Sequence, residues 1–162
     1  MAALVYAPFV RGQGNTATSF GMDVMAAAVK KFGIKSEVFN YTDFNSVVNA
    51  VTHHRALKYK IAPVGFSLGA GDVTLLSHQH IPLDMLIALD PSQLGYNYTL
   101  DKANTRHSIL WHDSNWLLNG PLGHAGLDLG FDEVHETMDW HLFVDKDPRI
   151  QANVEGALRS LL

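Results

Sequence analysis

Hydrophobic and polar positions alternate along this chain in blocks of two kinds, short apolar runs and longer stretches with helical spacing. Ala2 to Ala7 is an apolar run ended by Pro8 and predicts a buried first strand. Ser19 to Phe32 places Phe20, Val24, Met25, Ala28, Val29 and Phe32 on one helical face, and Gly33 stops the helix. Ser36 to Tyr41 reads as a strand. Asp43 caps a second helix with Phe44, Val47, Val48 and Val51 inward. Lys60 to Val64 is a strand and Leu68 to Ser77 a helix. Asp84 to Leu89, Ser108 to Trp111 and Asp132 to Thr137 are three further strands. The pair Asp147-Pro148 opens a last helix whose apolar stripe is Ile150, Val154, Ala157, Leu158 and Leu161.

Strands separated by helices imply parallel crossovers, and hence a three-layer α/β/α sandwich with a mostly parallel sheet. In such sheets reactive groups gather beyond the carboxyl ends of the strands. Each candidate residue therefore has to lie just after a predicted strand.

Composition narrows the picture. The 162 residues suit a single domain spanning 1–162, and 47% hydrophobic against 17% charged residues is an ordinary globular balance. A net charge of -4 without a basic patch argues against nucleic acid as a partner. Cysteine is absent, which excludes disulfides, cysteine nucleophiles and thiolate metal sites. No apolar run is long enough to span a membrane. The N-terminus has no charged segment ahead of its apolar run, so it reads as a strand rather than a signal peptide, and the expected location is the cytoplasm.

The chemistry centres on Gly65-Phe66-Ser67-Leu68-Gly69, a G-x-S-x-G pattern between a predicted strand and a predicted helix. A serine in so sharp a turn is exposed at the top of the sheet and needs small neighbours, which Gly65 and Gly69 supply. The amide of Leu68 then opens the next helix and points at a developing oxyanion. The plain alternative is a glycine-rich turn that binds a phosphate or nothing.

A serine hydroxyl needs a base, and the base an orienting acid. Asp90 ends the run "MLIALD" ahead of Pro91 and is the first-choice acid; a turn-forming Asp-Pro is its bland reading. Asp113, after "SILWH", is the runner-up, with a cap or loop role as its alternative. Nine histidines compete for the base. His53 and His54 complement a helix C-terminus. His78, His80 and His107 fall at the amino ends of strands. His112 and His124 are pocket candidates. His141, in the loop "DWHLFVDKDP", is preferred over His135, which falls within a predicted strand. The second oxyanion donor belongs in the loop after the first strand, "APFVRGQGNTA", where the amides of Phe9 and Val10 are the candidates. Gly12 and Gly14 let this loop turn back over the site. Arg11 reads as a substrate contact or, more simply, a solvated surface arginine. Phe66, Tyr96, Tyr98, Trp111, Trp116 and Trp140 are aromatic candidates for an acyl pocket, against the commoner core or interface role.

Taken together, "FVRGQG…SFGMDVM", "GFSLGAG", "IALDPS", "NGPLGHAG" and "HLFVDKDPRIQANV" resemble a group of small α/β-hydrolase proteins of bacteria and their phages, similar to lipases and esterases. The likeness runs from about Val5 to the C-terminus. It implies a serine hydrolase cleaving a small-molecule carboxylic ester, with Ser67, His141 and Asp90 as a triad and no cofactor or metal. In that group the elbow commonly reads G-H-S-x-G, and Phe66 here replaces the histidine. The chain starts at the strand before the oxyanion loop, so the resemblance implies a reduced sheet of about six strands. No lid insertion is apparent, which favours small or soluble esters. Asn119 to Gly126 resembles a glycine-rich loop near the active site.

Two other readings stand beside this one. The first is a metal-dependent hydrolase using the histidines, with His78 and His80, or His135 and His141, as ligands; no H-E-x-x-H supports it. The second is a binding protein that keeps a hydrolase fold without catalysis.

Overall fold

A computed structural model describes residues 3–92, 99–113 and 130–162. Seven strands form one sheet: β1 (Val5–Arg11), β2 (Lys35–Asn40), β3 (Lys60–Ile61), β4 (Val64–Phe66), β5 (Leu86–Leu89), β6 (Ser108–Asp113) and β7 (Glu133–Thr137). Among the described residues four α-helices accompany them: α1 (Thr16–Lys30), α2 (Phe44–Ala56), α3 (Leu68–Leu76) and α4 (Pro148–Arg159). The strand order is β2-β1-β4-β5-β6-β7, with β3 also beside β1, and every pairing among these strands is parallel. The expected three-layer parallel architecture is present. No helix among the described residues is long and apolar enough to cross a membrane.

Alternation along β1 builds both layers. Val5, Ala7 and Phe9 join Met22, Met25 and Val29 of α1 and Ile150, Val154 and Leu158 of α4 on one face. Tyr6 and Val10 join Val47 and Val51 of α2 and Val73 and Leu76 of α3 on the other. Sandwiching the sheet this way explains its continuous apolar runs.

Three expectations need correction. First, β1 does not stop at Pro8 but continues to Arg11. Its pairings Tyr6↔Ile61 and Phe9↔Val64 share one register, which sets Pro8 opposite Pro63. The Tyr6 carbonyl accepts from the Ala62 amide at 3.0 Å, so two residues on Pro8 faces the same neighbour with no N–H to give. The ladder breaks there and resumes, which is why the single predicted strand Lys60 to Val64 appears as β3 and β4. Second, α1 buries Met22, Met25, Ala26 and Val29, whereas Phe20 and Val24 are exposed. The helix begins at Thr16 and leaves helical geometry at Ser19 (φ -119°, ψ 31°), which shifts its inward face. Third, Arg11 is not a free surface arginine. Its guanidinium pairs with both carboxylate oxygens of Asp23 and donates to the Asn40 side chain at 2.9 Å, tying β1 to α1 and β2.

One helical residue works against stability at neutral pH. Asp72 on α3 is half-buried, and one of its carboxylate oxygens has no hydrogen-bond partner among the described residues. Burial pushes its pKa up to about 7. Between the ordinary carboxylate range and pH 7 the folded chain therefore holds a proton that the unfolded chain has lost, so stability falls as pH rises through that window. Asp72→Asn should raise the melting temperature at pH 8 by about 2–4 °C, corresponding to about 1 kcal/mol after allowance for solvent screening. At pH 4 it should change it little. Thermal melts at the two pH values check this, and an equal shift at both would refute it.

Candidate active site

Because the strands are parallel, their carboxyl ends share one edge of the sheet, and the candidate residues lie along it. Phe66 of β4 pairs with Leu89 of β5, so Ser67 and Asp90 each fall one residue beyond the paired ends. The Ser67 amide donates to the Leu89 carbonyl at 2.9 Å and the Asp90 amide to the Trp111 carbonyl at 2.6 Å. These bonds hold both residues against the sheet edge.

Ser67 has φ 56° and ψ -122°, a strained conformation for a residue with a side chain. The turn exists because its neighbours are small. A Cβ on Gly65 would lie 2.2 Å from the Gly69 carbonyl oxygen, and one on Gly69 would lie 2.3 Å from that of Val10. Leu68 is the first residue of α3, where amides have no intrahelical acceptor.

His141 opens a short 3-10 helix, His141–Lys146, after β7. Its Nε2 lies 2.8 Å from Ser67 Oγ and its Nδ1 lies 2.5 Å from Asp90 Oδ2. Nδ1–H donating to the Asp90 carboxylate leaves Nε2 of the neutral ring as an acceptor facing the serine hydroxyl. Asp90 is fully buried and has φ 44°. Its other oxygen, Oδ1, accepts from the Asp113 amide at 3.0 Å. The three first-choice side chains are thus brought into one hydrogen-bonded chain, and Asp113 meets it through its backbone.

The remaining candidates lie elsewhere. His135 is in β7, stacked on Trp111 with ring centroids 4.6 Å apart and bonded to Glu133 at 3.2 Å. His112 is buried in β6, and Trp140 is exposed. Phe9 is a correction: it is buried within β1, paired with Val38 and Val64, so its amide belongs to the sheet. Because the strand passes through Pro8, the loop starts only at Gly12. Beside the serine lies a cavity of about 320 Å³ lined by Gln13, Gly14, Thr18, Phe66, Leu68, Ser92 and Leu142 with Ser67 and His141. Among the described residues no group of three His, Cys, Asp or Glu is arranged to hold a metal ion. His78, one of the proposed ligands, bonds the Thr99 carbonyl at 2.6 Å instead. Tyr96, Tyr98, Trp116, His124 and the Asn119–Gly126 segment lie outside the described residues, as do residues 93–98 and 114–129, on which the expectation of a lidless site depends.

Sequence reasoning missed one contact of the imidazole and one residue beyond it. The Phe66 ring stacks on His141, centroids 5.1 Å apart with 27° between planes. Lys146 Nζ lies 5.9 Å from the Phe66 centroid. The departure from G-H-S-x-G at Phe66 was a signal at one of these positions. Nothing in the local pattern marked the other.

No family model matches the sequence, and no curated protein matches it either. Solved structures do. A protein of Xanthomonas campestris pv. campestris, provisionally described as a hydrolase of the α/β superfamily, aligns with TM-score 0.73 at 16% identity over 97% of this chain and 99% of that one. The esterase domain of a Rhodothermus marinus protein aligns with TM-score 0.63 at 14% identity, covering 96% and 84% of the two chains. A cutinase-like protein from Cryptococcus sp. aligns with TM-score 0.53 at 12% identity, covering 99% and 96%. At such identities the likeness speaks for the fold: this chain has a reduced α/β-hydrolase fold, with its candidate residues along the edge where the strands end.

Proposed function

We propose that this protein is a serine hydrolase that cleaves small-molecule carboxylic esters through an acyl-enzyme. The observation that carries the reading is the hydrogen-bonded chain from Ser67 Oγ through His141 to the buried Asp90 carboxylate, assembled from the ends of three different strands. His141 Nε2 takes the hydroxyl proton as Oγ attacks the acyl carbon. Asp90 keeps the ring in the required tautomer and stabilises the imidazolium. The oxyanion is received by the Leu68 amide and, in place of Phe9, by the Gln13 amide, because Gln13 lines the cavity beside the serine. The intermediate collapses as His141 returns the proton to the departing alkoxide. Water, deprotonated by the same nitrogen, then releases the acid.

A fluorophosphonate probe tests this directly. Peptide mapping should find the adduct on Ser67, and His141→Ala should abolish labelling while the fold persists. Well-folded wild-type protein that stays unlabelled would return the chain to the non-catalytic reading.

A further inference from the structure

The base and the oxyanion loop come from opposite ends of the chain, and their relative placement depends on what ties them together. Gly12 opens the oxyanion loop, and a Cβ there would lie 2.6 Å from Ser67 Cβ. Its amide donates to Ser19 Oγ at 3.0 Å, at the point where α1 departs from helical geometry. The carbonyl just before that kink, Thr18 O, accepts from Lys146 Nζ at 2.6 Å. The same ammonium donates to Leu142 O at 2.7 Å, next to His141, and to Asp145 Oδ1 at 2.7 Å. Three residues past Thr18, Gly21 sits so close to Asp145 that a Cβ would lie 2.0 Å from its carbonyl oxygen. Lys146 also faces the Phe66 ring, which stacks on the His141 imidazole.

We propose that Lys146 is a positioning residue, a strap that holds the His141 loop in register with the Gly12–Asn15 loop by binding Thr18 O, Leu142 O and Asp145 together. The proposal rests on the serine-hydrolase reading for its effect on turnover, though not for its geometry. One ammonium spends three donors on three acceptors that belong to two separate segments. The Asp145 carboxylate is fully buried, and burial raises its pKa above the usual range while the lysine beside it opposes that rise. Without the ammonium the buried charge is left with backbone amides alone, and the 3-10 helix that begins at His141 loses its tie to Thr18 of α1. A shift of about an ångström at a catalytic group costs on the order of 100-fold in rate.

The experiment uses Lys146→Met and Lys146→Arg, with two readouts on each folded variant. The first is the rate of fluorophosphonate labelling. The second is the downfield proton resonance of the His141–Asp90 hydrogen bond, which requires no turnover. Lys146→Met should broaden or lose the resonance and slow labelling by about 10- to 100-fold. Lys146→Arg, which restores the cation, should recover most of both. If Lys146→Met fails to fold, Lys146→Gln replaces it with the same expectation. A folded uncharged variant that keeps the wild-type resonance and labelling rate overturns the strap, even if its melting temperature falls. A wild-type protein that shows the resonance but never labels overturns the nucleophile reading instead, and the strap is then decided by the resonance alone.

Discussion

Ser67→Ala is expected to reduce hydrolysis of a p-nitrophenyl ester by about five to six orders of magnitude while leaving the protein folded. The hydroxyl is the atom that would form the covalent bond, and no neighbouring group replaces it. The backbone cost of this position is already present in the wild type, because φ is 56° whichever of the two side chains it carries. Removing Oγ gives up one hydrogen bond to His141, a matter of about 1 kcal/mol, so the melting temperature should move only a few degrees. Circular dichroism alongside the ester assay separates the two quantities. Turnover at the wild-type rate in a folded Ser67→Ala protein would end the nucleophile assignment.

Asp90→Asn should be nearly as damaging, for a different reason. Asparagine fits the same space and keeps an oxygen for the Asp113 amide, which donates to Asp90 Oδ1 at 3.0 Å. The other end of the side chain becomes an NH2 group that donates to His141 Nδ1. The ring then carries its proton on Nε2, pointing at Ser67 Oγ with nothing to accept the hydroxyl proton. Wrong tautomers of this kind cost about 10⁴-fold in kcat, or about 5.5 kcal/mol of barrier. Steady-state kinetics should show the loss in kcat with KM little changed, since Asp90 is fully buried behind the imidazole. A loss smaller than tenfold would mean that the acid lies elsewhere.

Much of the architecture was legible because it is written in local contrast. Ser67 and Asp90 each follow an apolar run, and chain order with the loop before the last helix points to His141 once the strands are known to be parallel. What escaped depends on partners distant in the chain. Pro8 was read as a strand end because proline forbids a ladder bond. The structure instead carries the strand past it at the loss of one bond to β3 and β4, and Phe9 is taken into the sheet with it. The inward face of α1 was read from Phe20 and Val24, which are apolar but exposed, because a kink at Ser19 leaves no trace in hydrophobic spacing. Lys146 looks like any surface lysine until α1, 128 positions earlier in the chain, is folded against it.

The paired prolines also bear on how the chain comes through synthesis. β1 is translated before its neighbours, since β2, β3 and β4 begin only at Lys35, Lys60 and Val64. For that whole interval the nascent chain carries a Val-Tyr-Ala-Pro-Phe-Val-Arg segment with both edges unpaired, in a parallel sheet that cannot close through local hairpins. Such segments invite pairing with other nascent chains. A proline at its centre denies an intruding strand one of its bonds. The interruption thus works as a gatekeeper, costing the native sheet one bond while making β1 a poor template for any other strand.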